Sequence, residues 1–82
     1  LHGRLLRRYR DARDIVAQLI RRGQEAGQYR ADIDPTVKAV EILAFINGME
    51  TTWLLDPSIP LTEVFKGYAE SLARELAPQS RR

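Results

Sequence analysis

The sequence predicts an all-α domain of three helices, and three observations carry that prediction. Apolar residues recur at alternating spacings of four and three through the first third of the chain. Two Asp-Pro pairs, Asp34-Pro35 and Asp56-Pro57, punctuate the middle. A further amphipathic stripe then runs from Leu61 to Leu76.

The first helix is expected over residues 1–26. Its stripe is Leu5, Tyr9, Ala12, Val16, Leu19, Gly23 and Ala26, broadened by Leu6, Ile15 and Ile20. Gly27 is the stop, because glycine takes the left-handed conformation at C′ without steric cost. Gly23 inside the stripe costs about 1 kcal/mol against alanine, and close packing would be one compensation. No capping residue precedes this helix, and Arg4, Arg7 and Arg8 face the positive end of its dipole. That start, and a first residue other than Met, predict a helix that continues upstream in a longer protein.

The second helix is expected over residues 34–55. Asp34 can cap the free N–H groups, Pro35 suits the first helical position, and Asp56-Pro57 ends the run. Val37, Val40, Ile42, Leu43, Ala44, Phe45, Ile46, Met49, Trp53, Leu54 and Leu55 surround most of its circumference. A helix that is apolar nearly all round must be covered nearly all round, and one partner helix on each side is not enough cover. The third helix is expected over residues 60–76, with Leu61, Val64, Phe65, Tyr68, Leu72 and Leu76 inward. Residues 78–82 form a flexible tail.

Composition narrows the function. The chain has 82 residues, no cysteine and one histidine, His2, so disulfides and thiolate or His-rich metal sites are excluded as staples. A chain this short buries only about 60–65% of its unfolded surface, which leaves oligomerisation as the route to stability. There is no signal peptide and no apolar run long enough to span a bilayer, so no membrane association is expected, and the composition fits a cytoplasmic protein. Charge is uneven: residues 1–30 carry eight arginines against three acids, a net +5, and residues 31–76 carry a net −5. That pattern suits either a solvated arginine-rich helix beside its own acidic half, or an acidic or nucleic-acid partner.

No catalytic constellation is present. Ser58, Ser71 and Ser80 have no neighbouring histidine, and the acid pairs Glu41/Glu50 and Asp32/Asp34 read as helix charge and capping. No enzyme activity, cofactor or metal is expected. Tyr9, Phe45, Trp53, Phe65 and Tyr68 at helical spacing suit either a core or the wall of a small-molecule pocket.

Taken in order, Arg22-Gly23-Gln24-Glu25-Ala26-Gly27, Asp32-Ile33-Asp34-Pro35, Ala44-Phe45-Ile46-Asn47-Gly48-Met49-Glu50 and Leu54-Leu55-Asp56-Pro57, followed by a last amphipathic helix, resemble the C-terminal regulatory domain of TetR-type transcriptional repressors. The resemblance covers residues 4–77. It implies that residues 1–77 are a dimerisation and effector-binding domain. The second and third helices would pair with those of a second copy as a four-helix bundle. An unknown small molecule would be the effector, and DNA would be bound only through a helix-turn-helix domain that this sequence does not contain. Under that implication Val40, Leu43, Ala44, Asn47, Gly48 and Thr51, with Phe65, Tyr68, Leu72 and Leu76, are the dimer residues. Val16, Ile20, Met49 and Trp53 are the pocket wall. Which face of the second helix meets the partner stays open. Two other readings also stand: a helical protein-protein interaction module unrelated to transcription, and an arginine helix that binds nucleic acid.

Overall fold

The computed structural model describes residues 2–78. Leu1 and the tail residues 79–82, for which helix and flexible tail were expected, lie outside them. Three helices occur in order: α1 (His2–Glu25), α2 (Pro35–Leu55) and α3 (Leu61–Leu76). Each lies within about a residue of its expected position. No described helix is long and apolar enough to cross a membrane.

The helix ends are set by local chemistry. Gly27 has φ 75°, and the N–H of Gln28 donates to the Gly23 carbonyl (2.8 Å) while that of Gly27 donates to Gln24 (3.1 Å). This is a Schellman C-terminus, which satisfies carbonyls the helix itself leaves free. Asp34 caps α2: its Oδ1 accepts from the N–H groups of Thr36 (2.9 Å) and Val37 (3.2 Å), with Pro35 at the first helical position. Asp56 closes α2 and then builds the next turn, its Oδ1 accepting from the N–H (3.1 Å) and Oγ (2.6 Å) of Ser58. Those two bonds hold its carboxyl below the usual carboxylate range.

The helices form a flat molecule whose Cα atoms span 46 × 32 × 14 Å. α1 packs closely on α2, with the small residues Ala17 and Ala39 buried; Ala39 is wholly inaccessible. α3 joins α2 through rings instead. Phe45 stacks on Tyr68 (centroids 3.9 Å apart, planes at 11°) and meets Phe65 edge-on at 5.3 Å. The α1–α2 connection is tied to the end of α3 by a bond from the Arg30 N–H to the Leu76 carbonyl (2.9 Å).

The core is thin. Its buried apolar residues are Ala17, Ile20, Ala39 and Leu76, and among the described residues no large side chain is fully buried. The expected stripe of α1 is corrected here. The covered edge centres on Ala17, Ile20 and Gly23, with Tyr9 and Val16 half-buried, while Leu5, Ile15 and Leu19 are exposed. The reason is geometric: α1 has one neighbouring helix along its length, and a single neighbour covers only a narrow wedge of the cylinder.

Candidate functional site

Viewed down its axis, α2 uses three sectors of its surface. Leu43 faces α1, lining a groove with Leu5, Tyr9 and Ala12, and the wholly buried Ala39 lies one turn before it on that side. Lys38 and Phe45 face α3. Those two directions lie on the same half of the helix, so the opposite sector has no neighbour. Val37, Val40, Ala44, Asn47, Gly48, Thr51, Leu54 and Leu55 occupy it and are all exposed, Leu54 at 73% and Leu55 at 82%. The eight residues of this strip carry no charge over 19 positions, or about 27 Å at 1.5 Å per residue, and the exposed Glu41, seven residues before Gly48, lies at its edge. A Cβ built on Gly48 would meet nothing within 4 Å.

Of the residues the sequence assigns to a dimer face, Val40, Ala44, Asn47, Gly48 and Thr51 therefore lie together on one open surface. Leu43 is half-buried and lines a shallow groove with Leu5, Arg8, Tyr9, Ala12 and Asn47, so the strip continues onto α1. Phe65 and Tyr68 are half-buried against Phe45, Leu72 is half-buried, and Leu76 is enclosed by its own chain.

Of the residues assigned to a pocket wall, Met49 and Trp53 come together. They line an open groove of about 370 Å³ with Glu50, Leu54, Leu61 and Phe65, at the end of the molecule where α2 hands over to α3. Val16 and Ile20 sit on α1, half-buried and buried, and do not line this groove. The groove is apolar and aromatic, with the Glu50 carboxylate as its single charge. Such a lining suits small apolar ligands, with Glu50 as its one ionisable contact. Among the described residues no cluster of three or more His, Cys, Asp or Glu could hold a metal ion.

Sequence reading missed a polar cluster between α2 and α3. Lys38 is buried at 6% exposure, and its Nζ donates to Glu41 Oε1 (2.6 Å) and Glu75 Oε2 (2.7 Å). Desolvation lowers the lysine pKa, but the bonds to Glu41 and Glu75 outweigh it and leave the ammonium above its usual range. Tyr68 beside it is pushed up, first by burial, and then by Glu41 and Glu75 against the opposing pull of Lys38. The Lys38–Glu41 spacing was visible as an i,i+3 pair. Glu75 lies 37 residues away and leaves no local signal.

The comparisons agree with this architecture. Residues 1–78 match the family model described as the C-terminal domain of BetI-type transcriptional repressors. No curated protein and no solved structure matches the chain. The match spans all three helices and both candidate surfaces. The chain belongs to the family of C-terminal domains of BetI-type transcriptional repressors.

Proposed function

We propose that this chain is the dimerisation and small-molecule-sensing domain of a TetR-type transcriptional regulator, acting on a helix-turn-helix DNA-binding domain of the same repressor. One observation supports this above the others. The strip from Val37 to Leu55 exposes Val37, Val40, Leu54 and Leu55 to water, and among the described residues no large side chain is fully buried. A second copy of α2 and α3 laid on that strip would complete the core as a four-helix bundle.

The groove at Met49, Trp53, Leu61 and Phe65 is the effector site in this reading. Phe65 lines the groove and meets Phe45, which neighbours Ala44 on the strip. A ligand that wedges Phe65 changes the spacing of α3 against α2, and with it the shape offered to the second copy. Such a ligand shifts the population only through a difference in affinity for the two spacings.

Sedimentation equilibrium over a dilution series, on wild type and Gly48→Leu, tests the dimer. A wild-type dimer weakened by Gly48→Leu is expected, because leucine fills the one point on the strip with no side chain. A wild-type monomer that stays folded at micromolar concentration overturns the reading and favours a heterologous interaction module. For the groove, the fluorescence of Trp53, the single tryptophan, reports ligand entry directly. Silence of Trp53 toward a ligand that is independently shown to bind would move the site elsewhere.

A further inference from the structure

The strip has an internal symmetry that its apolar character alone does not require. Ala44, Asn47, Gly48 and Thr51 stand at i, i+3, i+4 and i+7, the four positions that enclose a hole for one side chain of a facing helix. Gly48 leaves one wall of this hole without a side chain, and a Cβ built there would meet nothing within 4 Å. The Gly48 carbonyl is already engaged by the Thr52 hydroxyl (2.8 Å), so the hole demands no further donor for it. Val40 lies seven residues before Asn47, and Leu55 lies seven after Gly48. Small residues thus fill the centre of the strip and larger apolar ones close both ends.

We propose that Asn47 is the knob for this hole, and that it sets the register and self-recognition of the α2 pair. This rests on the dimer reading above. A two-fold axis between Asn47 and Gly48 sets Val40 of one copy opposite Leu55 of the other, and Ala44 opposite Thr51. Because the knob is itself a wall of the hole, one surface supplies both halves of the contact, as an isologous interface requires. The strip residues carry no charge, and Glu41 at its edge is engaged by Lys38 (2.6 Å), so two identical copies meet there without direct repulsion. At the axis the two Asn47 amides come together, each NH2 group donating to the other's carbonyl oxygen, with the Thr51 hydroxyls beside them. A slip by two turns sets each amide against Val40 or Leu55 and leaves it unpaired, which an interface tolerates poorly. A single polar residue in an apolar seam specifies register in this way, at some cost in affinity.

The chain has no cysteine, so an introduced thiol is the only one present. The full chain carrying Ala44→Cys is mixed with the full chain carrying Thr51→Cys and oxidised, and Val40→Cys mixed with Ala44→Cys is the control. The expected product is the 44–51 heterodisulfide, in large excess over the 40–44 product. Adding Asn47→Leu should leave a dimer by sedimentation but erase that preference. Asn47→Asp faces two carboxylates across the axis and should weaken dimerisation on the order of 100-fold at pH 7, with recovery on acidification. Circular dichroism of each variant confirms that the helices are retained. A wild-type dimer that lacks the 44–51 product, or that keeps it unchanged in Asn47→Leu, overturns the role of Asn47 and leaves the dimer reading standing. A wild-type monomer overturns both.

Discussion

The Tyr29 ring covers the Cα of Gly23 so closely that a Cβ on Gly23 would collide with Cδ2 and Cε2 of the ring. Gly23 is buried near the end of α1, and Tyr29 follows the turn that Gly27 makes possible. The helix-propensity cost of a glycine inside α1 is therefore offset by a contact that no other residue permits. The same turn is braced by the Gln24 side chain, whose Nε2 donates to the carbonyls of Arg30 (3.1 Å) and Ile33 (2.8 Å).

Gly23→Ala is expected to destabilise the chain although alanine favours helix by about 1 kcal/mol. Displacing Tyr29 costs about 1–3 kcal/mol, so a net loss of ~1 kcal/mol in the denaturation free energy is expected. Tyr29→Ala in the same chain removes the collision. The double variant should be more stable than the sum of the two single effects implies, which a double-mutant cycle by urea unfolding reads directly.

Phe45 is the side chain through which α3 is held. Phe45→Ala removes the stacked and the edge-on contact together, and it should cost about 2–3 kcal/mol given that Phe45 is only half-buried. Trp53 fluorescence should shift as well, because Phe65 lies between the groove and the ring pair. An unchanged unfolding midpoint would show that α3 is held by its ends alone.

The Lys38 cluster predicts an alkaline limit. Lys38 and Tyr68 both have folded pKa values above their usual ones. Their contribution is fully present below the unfolded values of about 10, and it is lost as pH rises through the folded ones. Lys38→Met removes the lysine's share and should flatten the alkaline limb of a stability-pH curve. At pH 7 it should be near neutral, because Glu41 and Glu75, both about half exposed, can return to water. Glu75→Ala leaves Lys38 with Glu41 alone and should cost ~1 kcal/mol.

At the acid end, Asp32 and Asp56 have lowered pKa values, Asp32 first through its bond from Arg30 and Asp56 through its bonds from Ser58. Their contributions hold above the unfolded value of about 3.9 and fade as pH falls through the folded ones. Arg30→Met should raise the Asp32 pKa toward its ordinary value, a shift that NMR titration of the side-chain carboxyl detects. No change would mean that the pair at 2.7 Å does not persist in solution.

Asp34→Ala deletes the two capping bonds at the start of α2 and should cost about 1 kcal/mol. Asp34→Asn, which can still accept them, should recover most of it. A thermal melt of the three proteins at one fixed concentration separates the cap from any effect of association.

The sequence by itself determined the helices, their ends and the excess of apolar surface on α2. Those are local properties: a spacing of three and four, a glycine at C′, an aspartate before a proline. It also placed Val40, Ala44, Asn47, Gly48 and Thr51 on one side, because residues at those separations share a helix face whatever surrounds them. Tertiary structure decided which side of α2 stays open, since that depends on where α1 and α3 settle. It also decided that Leu5 and Leu19 face water while Ala17 is buried, because one neighbouring helix covers only part of α1. Val16 and Ile20 were separated from Met49 and Trp53 for the same reason. The contacts between Lys38 and Glu75 and between Phe45 and Tyr68 join residues far apart in the chain. No periodicity records such a pair, because the free energy that selects it comes from packing whole helices together.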